Sequence, residues 1–265
     1  MSFWDEQRIK FKQKLATGNM EEFKTWDEVR AVPLYHPNEL YEQYLQDNLL
    51  LLKTLYWWQE VFNMGEPKVG HTEQSYQQVV RQYNGIETTA WAQKSLHHCL
   101  QFEALMPYGT NITNYDNIIE FGAGIGDTAR TIFNKGFRGR YHIIDLPEIH
   151  QISKYYISNV HRGADVSTYD SVENLPFLPG KNLFIATWSL SEVDFALREK
   201  IARYLKGADC LIVFQNQIFG RNNVDYFLFQ WPQLFDVFVR LRYLEFHKGD
   251  GGNFYLVGKN LTSNK

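Results

Sequence analysis

The chain has 265 residues, 44% of them apolar and 22% charged, which excludes a disordered chain, a collagen-like repeat and a coiled-coil rod. The length allows one large domain or a domain with an appendage. A net charge of −3 with no basic block argues against nucleic acid as a main partner.

The N-terminus is charged from Asp5 onward, with no following apolar stretch and small-residue cleavage site, so no secretory signal is expected. The apolar run Leu49–Leu52 is broken by Lys53, far short of the roughly 20 residues a membrane span needs. Cys99 and Cys210 have no metal-type spacing and read as two buried thiols in a reducing compartment, which points to the cytoplasm.

In residues 39–62, Leu45, Leu49, Leu52, Tyr56 and Gln59 recur at three and four, with Leu40, Tyr44, Asp47, Leu51, Leu55 and Trp58 alongside. This wide stripe predicts a helix buried on much of its circumference, with Asn38 as its N-cap. Gly65–Gly85 is polar and bounded by glycines, and it reads as a loop holding His71-Thr72-Glu73. A second helix is predicted over Ala90–Leu105, ending before Pro107. No alternating strand is expected in residues 1–105, so residues 1–107 read as an N-terminal helical extension. Its aromatic content, including Tyr56, Trp57, Trp58 and Tyr76, suits a lid that excludes water.

Residues 108–265 have a different texture. Asn117–Phe121, Tyr141–Ile144, Leu183–Thr187 and Leu211–Phe214 read as buried strands, and Asp165–Thr168 as a weaker one, with helical patterns between them. That is the rhythm of a parallel α/β sheet. Tyr243–His247 and Asn253–Val257 flank Lys248-Gly-Asp-Gly-Gly252, a hairpin signal that makes the last strand antiparallel to a neighbour. The expected fold is a Rossmann-like, seven-stranded, mostly parallel sheet with an antiparallel C-terminal hairpin strand.

The first of these strands runs directly into Gly122-Ala123-Gly124-Ile125-Gly126 and then a helical pattern. Glycines at every second position let the backbone turn tightly and come close to a ligand. The dinucleotide fingerprint needs G-x-G-x-x-G, so the spacing disfavours a nicotinamide-dependent oxidoreductase. Glu120 ends the strand and Asp127 opens the helix. Two carboxylates at the mouth of the loop would repel a phosphate and suit a cationic or amine-bearing ligand. The second strand ends at Asp145, 23 residues past Gly122 and near where an acid meets ribose hydroxyls in nucleoside-binding α/β folds. Leu146 would lie beside the base, and Pro147 would start the next helix. The other reading of Asp145 is a helix cap.

These motifs resemble the class I S-adenosylmethionine-dependent methyltransferases. The strings E-F-G-A-G-I-G (120–126), I-I-D-L-P-E (143–148) and A-T-W-S-L-S-E (186–192) are similar to sugar O-methyltransferases of bacterial polysaccharide pathways, over roughly residues 65–258. Ala123 departs from the glycine that members often carry, which is tolerable at negative φ. The resemblance implies S-adenosylmethionine as cofactor and a sugar, nucleotide-sugar or glycan hydroxyl as methyl acceptor. Gly122, Ala123, Gly124 and Gly126 would pass under the methionine part. Glu120 would orient the loop or reach the amino group, and Asp145 would hold the ribose. Asp170 would meet the adenine amino group or lie in a surface turn, and Trp188 would wall the site. Assembly into a homo-oligomer is compatible with this reading.

A sugar hydroxyl needs a base, and histidine is the usual one. Of eight histidines, His142 reads as strand core and His97 and His98 as helix surface or packing residues. His71, beside Glu73 in the polar loop, is the first candidate, and His247 before the hairpin turn is the second. Glu192 is either catalytic or the far end of a Ser189-x-x-Glu192 capping box. Asn216 and Gln217 could bind sugar hydroxyls or cap the next helix. No metal-ligand spacing is present, so metal independence is expected. The alternatives left open are a methyltransferase on a lipid, another small molecule or a protein side chain, and a non-catalytic scaffold with the same fold.

Overall fold

The computed structural model describes residues 3–31, 40–107, 109–218, 220–244 and 252–261. Contacts gather the chain into two compact units: Met1–Leu100, Gly124–Gly136 and Leu146–Ala164 in the first, Gln101–Ala123, Phe137–Asp145 and Asp165–Lys265 in the second.

The first unit is mainly helical. It contains α1 (Phe3–Thr17), a 3-10 turn (Met20–Thr25), α2 (Asp27–Ala31), α3 (Tyr41–Leu55), a 3-10 turn (Trp58–Met64) and α4 (Glu73–Val79). A small hairpin of β1 (Arg81–Tyr83) and β2 (Ile86–Thr88) follows, then most of α5 (Ala90–Leu105), and later α6 (Asp127–Asn134) and α7 (Pro147–Val160). Phe11, Phe23, Trp26 and Val29 share one core with Ile149, Ile152 and Tyr156 of α7.

The helix expected over 39–62 is two elements. It stops at Leu55 because Tyr56 takes a left-handed φ of 57°, and the Tyr56 N–H closes onto Leu52 and Lys53 carbonyls. Asn38, the expected cap, lies outside the described residues. The stretch Gly65–Gly85 is not one loop, and residues 1–105 do hold strands. Thr72 caps α4 by accepting from the Ser75 N–H at 3.1 Å. Asn84 (φ 49°) and Gly85 (φ 79°) make the turn between β1 and β2. That Asn-Gly pair is the strongest short-range hairpin signal a sequence offers. The second expected helix, Ala90–Leu105, is found with the same bounds.

The second unit holds a seven-stranded sheet in the order β10-β11-β7-β6-β3-β4-β5. Its strands are β3 (Asn117–Phe121), β4 (Arg140–Ile144), β5 (Val166–Tyr169), β6 (Asn182–Thr187), β7 (Asp209–Gln215), β10 (Val237–Leu244) and β11 (Asn253–Asn260). Neighbours from β5 through β7 are parallel, and β11 is antiparallel to both β7 and β10. This is the Rossmann-like, mostly parallel sheet with an antiparallel ending that the sequence predicts. The chain reverses direction across the sheet between β3 and β6, the topological switch point. The expected strand Tyr243–His247 instead begins at Val237, and residues 245–251, with His247, lie outside the described part.

After β6 come α8 (Ser189–Glu192) and α9 (Phe195–Tyr204). After β7 come the two-residue strands β8 (Gln217–Ile218) and β9 (Arg221–Asn222) and α10 (Asn223–Asp225). A π-helical turn (Tyr226–Gln230) then leads into α11 (Trp231–Phe235). Ile119, Phe184, Ala186, Cys210, Ile212 and Phe214 point from one sheet face into a core with Ile201 and Ala202 of α9, Leu205 just after it, and Trp231 and Phe235 of α11. Each Ile, Leu and Phe among them contributes about 1.5–3 kcal/mol on burial. Cys99 and Cys210 are both buried thiols outside any disulfide, and burial pushes the Cys210 pKa up to about 12. No helix among the described residues is long and apolar enough to cross a membrane.

Candidate functional site

Parallel strands in register finish on one edge, and α/β sheets bind ligands outside those carboxyl ends, at the switch point. Phe121 pairs with Ile144, Ile144 with Tyr169, and Thr187 with Val213. Gly122, Asp145, Asp170 and Trp188 each follow the end of a strand, so the sheet carries all four to that edge. Asp145 is half-buried and its N–H bonds the Tyr169 carbonyl at 3.2 Å, while Asp170 is exposed.

At the switch point two turns interlock. The Gly122 N–H bonds the Ile144 carbonyl at 2.8 Å, and the Ser189 hydroxyl donates to the Phe121 carbonyl. Gly122 has φ 72°, and a Cβ there would lie 2.3 Å from Ser189 Cβ. Glycine is therefore required twice, by the backbone angle and by the neighbour. Gly124 and Gly126 also have positive φ, whereas Ala123 is absent from the positive-φ residues, which is why an alanine fits there. Trp188 holds φ 65° and ψ −34°, an unusual conformation for a bulky residue. Its N–H bonds the Val213 carbonyl at 2.7 Å, its carbonyl accepts from the Ser191 N–H at 2.9 Å, and its indole donates to Asn253 Oδ1 at 2.8 Å. Backbone strain fixed by this many partners is typical of functional positions.

The two loop carboxylates are not at an open mouth. Glu120 is buried within β3 and accepts from the Tyr141 hydroxyl at 2.7 Å. Asp127, in the first unit, is 7% exposed and accepts from the Tyr156 hydroxyl at 2.8 Å, with Lys24 Nζ at 3.8 Å and Arg130 Nε at 3.6 Å. Its charge is balanced inside the protein, so the electrostatic argument drawn from both acids does not hold.

The capping box is also absent. Ser189 is bonded to Phe121, and α9 is capped instead by Asp194, which accepts from the Leu197 N–H at 2.8 Å. Glu192 is half-buried at the end of α8, its carbonyl held by Arg221 at 3.1 Å. Asn216 uses its backbone, bonding the Gly252 carbonyl at 2.9 Å, and Gln217 opens β8. His142 is strand core, 3.3 Å from the Tyr169 hydroxyl, and burial lowers its proton affinity.

His71, Gly124, Gly126 and Leu146 belong to the first unit. Leu146 precedes α7, whose first residue is Pro147, as expected. His71 does not pair with Glu73, which is exposed and bonds Lys68 and Gln77. Its side chain is buried, with Nε2 3.5 Å from Glu66 and Nδ1 3.5 Å from Ser75. Glu66 is the centre of a buried network that sequence reasoning missed: it pairs with Lys24 and accepts from Thr89 at 3.0 Å, and Lys24 donates to Tyr156 at 3.1 Å. Burial would raise the Glu66 carboxyl, but Lys24, His71 and Arg130 together hold it well below the usual range. Among the described residues no group of three His, Cys, Asp or Glu side chains is placed to hold a metal.

No family model matches the chain, and no curated protein does. It is similar to the methyltransferase domain of bacterial CtHen1 (TM-score 0.45, 10% identity, 55% of this chain and 91% of that one). It is also similar to precorrin-6y C5,15-methyltransferase from Geobacter metallireducens (0.40, 10%, 54% and 79%) and to a SAM-dependent methyltransferase from Leishmania major (0.42, 14%, 54% and 63%). At these scores the functional reading rests on strand order and loop geometry instead.

Proposed function

We propose that the chain is an S-adenosylmethionine-dependent methyltransferase that acts on a hydroxyl of a sugar, nucleotide-sugar or glycan. The observation that carries the cofactor is the glycine loop locked against the β6 turn at the switch point, with Asp145 ending the neighbouring strand. The residues present fit that group. Gly122, a position that tolerates no Cβ, turns the backbone directly after β3. Asp145 offers a half-buried carboxylate to a vicinal diol.

When bound, the cofactor supplies an electrophilic methyl on a sulfonium. This chain's part is to hold and align. Gly122 lets the backbone approach, Asp145 orients the ribose, and Trp188 presents a ring fixed by Asn253. In-line displacement depends heavily on such alignment. The sugar acceptor is supported by the three sequence strings alone.

Calorimetry with S-adenosylhomocysteine and with NAD tests the class. Asp145→Ala is expected to weaken S-adenosylhomocysteine by about 1.5–3 kcal/mol, the contribution of a charge-assisted hydrogen bond. An unchanged Kd in a folded variant would remove Asp145 from the site. For the base, His71→Ala is expected to lower kcat about 10²- to 10⁴-fold with cofactor affinity retained. Wild-type turnover would pass the role to Glu192 or His247.

A further inference from the structure

Arg198 on α9 is completely buried and forms no ion pair with any described carboxylate. Its Nε donates to the Val193 carbonyl at 3.1 Å and its Nη2 to the Ser191 carbonyl at 2.7 Å. Its Cζ lies 4.9 Å from the Phe195 ring, 5.0 Å from Tyr226 and 5.3 Å from Phe227. Nη1 has no hydrogen-bond partner, and neither has the buried hydroxyl of Tyr226, whose ring lies against the guanidinium. Buried donors are almost always satisfied, so an orphan on a buried cation without an ion pair, and another on the ring against it, call for an acceptor.

The surroundings add positive charge. Arg221 is half-buried, grips the Glu192 carbonyl at 3.1 Å, and lowers the proton affinity of Arg198 by its proximity, second only to burial among the lowering effects. The nearby acids are engaged elsewhere: Asp194, whose charge favours the Arg198 cation, caps α9, and half-buried Glu199 pairs with Arg203 at 3.2 Å. Tyr226 also opens the π-helical turn, a feature frequent at functional sites. The gripped segment, Ser191–Val193, follows directly on Trp188 at the carboxyl edge of the sheet.

We propose that Arg198, Arg221 and Tyr226 form an oxyanion subsite that takes a phosphate or carboxylate group of the acceptor. The reading rests on the proposed methyltransferase function only in assigning that anion to an acceptor. Phe195 stacks on the guanidinium and is itself 42% exposed; anion binding requires this ring to rotate away and uncover Arg198. An oxyanion entering there meets the free Nη1 and the Tyr226 hydroxyl, with Arg221 toward solvent.

Inorganic phosphate and acetate are the probes, at ionic strength matched with sodium chloride, read by calorimetry and thermal melting. Tyr226→Phe keeps the ring and removes only the orphan hydroxyl, and Arg221→Ala changes a half-exposed residue. One anion is expected to bind wild type and raise its Tm, and each substitution to weaken that binding about 10-fold or more. A stronger response to phosphate marks a phosphorylated acceptor, and a stronger response to acetate a carboxylated one. No response to either anion, or a response undiminished in both variants, overturns the subsite. S-adenosylhomocysteine binding measured on the same samples reports separately on the cofactor, so loss of one reading leaves the other standing.

Discussion

Gly122→Ala is expected to cost about 2–5 kcal/mol of loop stability, and S-adenosylhomocysteine affinity should fall by roughly 30-fold or more. Two effects add. A left-handed φ costs a residue with a Cβ about 1–2 kcal/mol. The new methyl would also sit 2.3 Å from Ser189 Cβ and 2.8 Å from Ser189 Oγ, atoms next to the backbone that cannot swing away cheaply. Either β3 or α8 must shift, and the hydrogen bond from Ser189 to the Phe121 carbonyl breaks with it. Calorimetry and circular dichroism melts separate loss of binding from loss of fold. The companion variant Ser189→Gly removes the clash, leaving only a Cα 3.7 Å away. The double variant should therefore bind better than Gly122→Ala alone, although Ser189→Gly by itself loses a hydrogen bond. If the double variant loses the sum of the single losses, the two turns are not interlocked.

The centre of the sheet was legible because its strands are short, apolar, bounded and buried, whereas half-buried β5 and the exposed edge strand β10 were read weakly or with the wrong start. Asn117–Phe121 and Leu183–Thr187 needed no periodicity argument. The glycine loop was legible because three glycines directly after a strand have few other uses. The helical half was harder. A stripe at spacings of three and four continues past Tyr56 in the sequence, and nothing in the pattern shows that Tyr56 turns left-handed. The β1–β2 hairpin was readable from Asn84-Gly85, but its three-residue strands are too short to alternate visibly. The roles of charged residues were the least legible. Asp127 and His71 have local neighbours, the glycine loop and Glu73, that suggest a ligand for the one and a ring-orienting carboxylate for the other. Their partners are 29 or more residues away in Tyr156 and Lys24, or on another loop in Glu66. Pattern reading sees local neighbours, whereas compensation of buried charge is tertiary. The strained backbone of Trp188 has no sequence signature either. Only the coordinates show that the residue after β6 is held in place by β7 and Asn253.

The buried network predicts a loss of about 3–5 kcal/mol for Lys24→Met, among the largest effects a single substitution should have here. Lys24 is 8% exposed, and its ammonium serves Glu66, the Tyr156 hydroxyl and, at 3.8 Å, Asp127. Methionine keeps most of the packing volume but leaves two buried carboxylates with Arg130 as their main cation. The pH dependence identifies the cause. The Glu66 carboxyl is depressed in the folded protein, so its stabilisation is present above the unfolded value near 4.3 and is lost as pH falls toward the folded value. Wild-type stability should therefore decline below about pH 5. Without Lys24, Glu66 can relieve its burial by taking a proton, so the gap between wild type and variant should be widest at neutral pH and narrow in acid. Urea unfolding at pH 7.5, 5.5 and 4 measures that gap, and a gap independent of pH would make Lys24 a packing residue. Adding Glu66→Gln to Lys24→Met removes the uncompensated charge and should recover part of the loss. Asp127 is the first residue of α6, directly after Gly126, so the same substitution should also loosen the exit of the glycine loop and lower S-adenosylhomocysteine affinity before the unit unfolds.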